Sequence, residues 1–348
     1  MSLKVFRERI LKRAPLCIRG GGSKDFYGGP LAGEVLDVGG YRGIVSYEPT
    51  ELVLTARAGT PLAELGSALA ERGQWMAFEP PSFGGAATLG GTMAAGLSGP
   101  GRASYGAMRD FVLGAKVMDG EGRVLTFGGQ VMKNVAGFDV SRLMAGSLGT
   151  LGLILEVSIK VLPVPVAQAT LRFQLPQEKA LETLNRWAGQ PLPVTATSWE
   201  DQVLAVRLAG AEAAVRSAHE TLGGERVPDS EAASHWAGLR DQGHPFFAGD
   251  APLWRLSVPS TTAPLDLPGE TLVEWGGAQR WLRGDRDPTM VRDLARRAGG
   301  HATLFRGGDK AAGVFTLLPG PLAAIHRRLK DAFDPHGLFN RGRLLPDL

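Results

Sequence analysis

Apolar and polar positions alternate at short range over roughly the first half of the chain. Brief apolar runs such as Pro15-Leu16-Cys17-Ile18 are broken by glycine turns, which predicts short strands over residues 15–60. Residues 1–14 read as a short basic helix. Leu62, Leu65 and Leu69 form one apolar face at helical spacing; the Thr60 hydroxyl would cap that helix, Pro61 would open it and Gly73 would stop it. Residues 110–127 predict a hairpin, with strands Val112 to Met118 and Val124 to Phe127 around Asp119-Gly120-Glu121-Gly122. A further strand is read over Ile154 to Leu162, and Pro163 and Pro165 then break the pattern. A second mixed region, rich in Ala, Leu and Trp, follows. The fold class is α+β. The expected organisation is a first domain over 1–165, a second over 166–320, and a terminal segment, 321–348, that returns to the first.

Glycine sharpens this division, since 29 of the 48 glycines lie before residue 165. They gather in three places. Ile18-Arg19-Gly20-Gly21-Gly22-Ser23-Lys24 follows a strand and carries cations beside three bare residues. The stretch 79–106, EPPSFGGAATLGGTMAAGLSGPGRASYG, is long, small-residue-rich and anchored by Phe83, Leu89, Met93, Leu97 and Tyr105, so it is not a linker. Ala136-Gly137-Phe138-Asp139 and then Ala145 to Ile154 place glycines at 146, 149 and 152. Backbone without side chains can turn successive amides toward one anion, and a dinucleotide diphosphate suits such loops. Neither a Walker loop nor the G-x-G-x-x-G fingerprint occurs in the chain.

Order and spacing of these loops resemble the vanillyl-alcohol-oxidase type of FAD-binding domain. Phe333-Asp334-Pro335-His336-Gly337-Leu338-Phe339-Asn340-Arg341-Gly342-Arg343-Leu344 is similar to that family's closing helix and turn, with Asn340-Arg341-Gly342 in place of Asn-Pro-Gly. Within the family, the chain resembles the smaller FAD-binding subunits of bacterial glycolate oxidases (glycolate dehydrogenases). That closer likeness rests on Phe78-Glu79-Pro80-Pro81, Lys133-Asn134-Val135-Ala136-Gly137-Phe138-Asp139, Trp236-Ala237-Gly238-Leu239-Arg240, His244-Pro245-Phe246-Phe247 and Gly299-Gly300-His301-Ala302-Thr303-Leu304.

The resemblance implies FAD held by Arg19, Gly20, Gly21, Gly22, Ser23 and Lys24 in the first loop. Pro81, Thr88, Gly90, Gly91, Thr92, Gly96, Ser98, Gly99 and Tyr105 would follow in the second, Gly149, Gly152 and Ile154 in the third, and Asn340 beside the isoalloxazine. It implies a second domain that caps the flavin ring. It also implies a role in oxidising glycolate to glyoxylate beside a larger FAD-binding subunit and an iron–sulfur subunit. The alternatives are a stand-alone oxidase of a small hydroxy compound and a non-catalytic flavoprotein scaffold.

Composition narrows these readings. The net charge of +3 suits an anionic cofactor or substrate, but no basic, aromatic-interleaved stretch speaks for nucleic acid. Cys17 is the only cysteine, so the chain can form no internal disulfide and cannot by itself supply the four thiolates of an iron–sulfur cluster. All six histidines lie after residue 165, and Ser23 stands where some relatives tether flavin through histidine, so the FAD is expected to be non-covalent. No metal site is read. No run is long enough to span a bilayer and no leader is read, so the expected compartment is the cytoplasm, with any contact to the inner membrane made through partner subunits.

Oxidation of a 2-hydroxy acid needs a base for the hydroxyl proton and a cation for the carboxylate. His301 and His326 are candidates for the first, and Arg255, Arg280 and Arg283 for the second. The His-rich, Gly-Asp-Gly-Asn-type motif of catalytic subunits for such acids is missing, so no catalytic base is assigned and little activity is expected of the chain alone.

Overall fold

The computed structural model describes residues 2–129, 139–266 and 269–346. Lys133 to Phe138, which contribute to the family likeness, lie outside the described residues. The chain forms two compact units: Met1–Leu97 with Ala107–Pro163 and Gly313–Leu348, and Ser98–Gly106 with Val164–Ala312. Ser98–Gly106, which reads as part of the first domain in the sequence, thus belongs to the second unit.

In the first unit, helix α1 (Leu3–Leu11) buries Phe6 and Ile10 completely. Strands β1 (Leu16–Arg19) and β2 (Glu34–Asp37) pair in parallel, from Leu16 opposite Glu34 to Arg19 opposite Asp37. The main sheet has five antiparallel strands in the order β3 (Ile44–Glu48), β4 (Val53–Arg57), Leu153–Lys160, Val112–Met118 and Val124–Gly128. The core beneath α1 joins Phe6, Ile10, Leu16, Leu36, Leu153, Leu155 and Phe339, so the end of the chain packs with its beginning.

Helix α2 (Leu62–Ala70) buries Leu62, Leu65 and Leu69 as the spacing predicts. Its start differs from expectation. The Thr60 hydroxyl accepts from the Gly43 amide at 2.8 Å instead of capping α2, and Pro61 occupies the cap position in extended conformation. The long-range bond to the β3 approach outcompetes the local cap.

The second unit is built on an eight-stranded antiparallel sheet in the order Glu225–Val227, Ala167–Gln174, Val203–Gly210, Val194–Glu200, Thr271–Glu274, Gln279–Arg283, Leu253–Ser257 and His301–Arg306. Leu204, Val206 and Leu208 pack with residues of the helices Gln177–Ala188 and Glu212–Leu222. Leu256, Leu282 and Leu304 pack with Val291 and Ala295 of the helix Pro288–Arg297. The helix Asp229–Asp241 is fastened by the Trp236 indole, which donates to Thr170 Oγ1 at 2.9 Å, and by His235 Nε2, 2.8 Å from Ser198 Oγ.

Burial, then the neighbouring His244 and the Arg172 charge, push His235 down to about 4. A depressed histidine is neutral in the fold at pH values where the unfolded chain, near 6.5, already binds a proton. The second unit should therefore lose stability as pH falls from about 6.5 to about 4, by up to about 3 kcal/mol. Melting curves of wild type and His235→Gln across that window check this: the variant should be the less acid-sensitive of the two, and parallel curves would remove His235 as the cause.

Candidate flavin cleft

β1 ends in the first glycine loop, and both of its edges are occupied. One edge pairs with β2. The other meets the chain's last residues: Leu16 N–H donates to Leu338 O at 2.8 Å, Asn340 N–H to Leu16 O at 2.9 Å, and Ile18 N–H to Asn340 Oδ1 at 2.7 Å. Asn340 Nδ2 in turn donates to Leu148 O at 2.6 Å, which draws in the third glycine loop.

Arg343 performs the same service one turn further on. Its guanidinium is nearly buried and donates to the carbonyls of Asp25 at 3.1 Å, Gly29 at 2.5 Å, Lys24 and Tyr27. Burial lowers its pKa from the ordinary arginine value, against the raising effect of Asp25. Beneath this turn sits a buried ion pair. Lys330 Nζ lies 2.8 Å from Asp334 Oδ2 and also donates to Thr150 O at 2.6 Å and Phe339 O at 3.0 Å, while Asp334 accepts from the amides of Leu338 and Phe339.

These ties shape a solvent-open cleft. It is lined by Arg19 to Lys24 from the first loop, Thr88, Gly90 and Gly91 from the start of helix α3 (Leu89–Ala95), Gly149, Gly152 and Ile154 from the third loop, and Asn340. Asp25, Leu31, Val38, Ala58 and Arg343 line it too and were not anticipated. Arg343 had a signal, since it closes the Asn340-Arg341-Gly342-Arg343 motif; the others had none.

Six expected residues do not line this cleft. Thr92 is completely buried, with no hydrogen-bond partner for its Oγ1. Gly96 ends α3 at φ +63°, and a Cβ there would stand 2.9 Å from the Gly146 backbone. Pro81 is absent from the lining, and Ser98, Gly99 and Tyr105 belong to the second unit.

Two kinds of amide face one another across the cleft walls. In α3 the first donors are already used: Leu89 N–H bonds Thr60 O at 2.9 Å, Gly90 N–H bonds Ala58 O at 2.8 Å, and Gly91 N–H reaches its cap, Thr88 Oγ1, at 3.3 Å. The amides of Gly20, Gly21, Gly22 and Ser23 have no acceptor among the described residues. Four consecutive open donors beside a cleft form an anion nest, and a diphosphate fits it. Lys24 flanks them, over the Phe83 ring at 5.5 Å and 3.3 Å from Ser23 Oγ. Arg19 is instead neutralised by Asp25, whose Oδ2 lies 2.7 Å from its Nε.

Of the candidate groups for substrate, Arg280 is buried and donates to Gly277 O at 2.6 Å and Thr262 O at 2.8 Å. Arg283 pairs with Glu270 at 3.2 Å, and His326 Nδ1 lies 2.9 Å from Leu322 O of its own helix. Arg255 lies opposite Thr303 on the strand next to that of His301, with its guanidinium 5.2 Å over the Phe305 ring. Burial, then the Arg255 charge, lower the His301 pKa.

Residues 4–128 match the FAD binding domain family. Glycolate oxidase subunit GlcE of Escherichia coli is 47% identical over 99% of this chain and 97% of that protein. The chain belongs to the GlcE family of FAD-binding glycolate oxidase subunits. A glycolate oxidase subunit GlcD of Bacillus subtilis is 32% identical over 46% of this chain and 34% of that protein. Among solved structures, a 4-ethylphenol oxidase from Gulosibacter chungangensis aligns with a TM-score of 0.70 at 16% identity, covering 98% of this chain and 86% of that one. An alkyldihydroxyacetonephosphate synthase aligns at 0.69 and 15% identity, covering 99% and 75%. These two show the fold, and the family carries FAD as cofactor.

The structure separates two glycines that look alike in the sequence. A Cβ on Gly21 would stand 1.5 Å from Ala86 O, whereas one on Gly91 would meet only Thr88 Oγ1, at 3.2 Å. Gly91→Val should therefore fold and lose FAD affinity by about a hundredfold or more, while Gly21→Val should fail to fold. Melting curves with FAD fluorescence titration test both; tight, stoichiometric FAD in Gly91→Val would place the flavin elsewhere.

Proposed function

We propose that this chain is the smaller FAD-binding subunit of a glycolate dehydrogenase complex, taking part in oxidation of glycolate to glyoxylate beside a larger FAD-binding subunit and an iron–sulfur subunit. The full-length likeness to GlcE carries this reading. The nest of Gly20–Ser23 amides supports FAD as the bound group, because their donors match a diphosphate and Gly91 leaves the facing wall bare.

Bound FAD supplies a two-electron acceptor for a C–H bond next to a hydroxyl. In this chain, the first loop would hold the diphosphate, Lys24 would balance its charge, and Arg343 and Asn340 would keep the loop in shape. Arg255 and His301 remain candidates for the carboxylate and the hydroxyl proton, and neither is assigned as base. An iron–sulfur relay for electrons leaving the flavin would lie in a partner chain, since one cysteine cannot hold a cluster. Among the described residues no helix is long and apolar enough to cross a membrane, so a membrane contact would come through partners.

Isolated and FAD-loaded, the chain should be reduced slowly or not at all by glycolate or D-lactate under anaerobic conditions. Activity with an artificial acceptor should appear when the larger flavin subunit and the iron–sulfur subunit are added. Rapid flavin bleaching with turnover on the order of 10 per second by the chain alone would overturn the subunit reading in favour of a self-sufficient oxidase.

A further inference from the structure

The second unit holds a groove of its own, of about 250 Å3 and open to solvent. It is lined by Leu184, Trp187, Leu192, Val194 and Trp275, with the exposed Ala103 at its rim. None of its lining residues is ionisable. This is room for a small ligand of one or two rings, and small-molecule sites are mostly apolar with a few polar groups. Ser104 and Gln190 supply those polar groups here, since Thr195 and Thr197 already bond Arg207 and Gly276.

The second observation is backbone strain. Trp275, Gly276 and Gly277 follow one another at φ +55°, +67° and +103°. A tryptophan in the left-handed region is disfavoured and persists only where its surroundings impose it. Three contacts impose it here. Gly276 N–H donates to Thr197 Oγ1 at 2.8 Å, the Trp275 indole donates to Gly99 O at 3.1 Å, and the Arg102 guanidinium lies 4.5 Å over the ring. On the opposite side of the sequence, Trp187 is fixed against Phe173, with ring centroids 5.3 Å apart. A Cβ built on Gly276 would meet nothing within 4 Å, so the turn that holds Trp275 borders open space.

We propose that this groove binds a neutral, flat ring compound of one or two fused rings, stacked against the Trp187 and Trp275 indoles. Flat rings gain from aromatic walls beyond simple area burial. A cationic ligand would give up hydration, find no carboxylate in the lining and meet the Arg102 charge beside Trp275.

The test uses the FAD-loaded full chain and 2-naphthol as probe, with the 2-naphthylmethylammonium cation as the charged counterpart, followed by calorimetry. Wild type should bind 2-naphthol, and bind 2-naphthylmethylammonium about tenfold less well or worse. Ala103→Trp and Gln190→Trp each fill the mouth from an exposed position, so they should keep the melting temperature while weakening 2-naphthol about tenfold or more. No binding to wild type, equal binding of the two probes, or unchanged binding in both variants would overturn the proposal. So would release of FAD by 2-naphthol, which would assign the probe to the flavin cleft.

Discussion

The first glycine loop holds its shape because the far end of the chain hydrogen-bonds to it. Asn340 and Arg343 direct their polar side chains at main-chain groups of β1 and of residues 24–29, more than 310 positions away in sequence. A loop of three glycines has little conformational preference of its own and would lose much entropy on ordering. The carbonyls on its downstream side are gathered by one guanidinium, and its strand is clamped on both edges. The amides left over belong to residues that line the cleft.

The same dependence explains the buried Lys330–Asp334 pair, whose side chains are 6% and 0% exposed. Two charges removed from water are tolerated because each is saturated: Lys330 by two carbonyls and a carboxylate, Asp334 by two amides and the ammonium. Loss of one partner from such a pair costs about 3–5 kcal/mol, since the other is left buried and unpaired. The pair fixes the turn that carries Leu338 to Arg343, so the cleft inherits its shape from side chains outside its lining.

Much of the cleft lining was legible in the sequence, because a glycine turn that alone is more often just a turn gains weight beside a second, long glycine loop. The division of labour among those glycines was not. Gly20, Gly21 and Gly90 are bare because protein atoms press on them, while Gly91 is bare toward the cleft, and no local pattern separates these cases. Thr92 reads like its neighbours yet is wholly buried, since helix phase and not residue type decides which way it faces. Arg343 lay inside a recognisable motif, but its job depends on carbonyls more than 310 residues away. Thr60 reads as a helix cap and is drawn off by Gly43 for the same reason: a tertiary hydrogen bond is invisible to local spacing.

If the open amides of Gly20 to Ser23, and not the first turn of α3, hold the diphosphate, residue-resolved amide exchange with and without FAD will show it. Gly20–Ser23 should then exchange fast in the free protein and about tenfold or more slower when FAD binds, with Leu89 and Gly90 slow in both states. Unchanged exchange at Gly20–Ser23, with new protection confined to Leu89–Thr92, would contradict it.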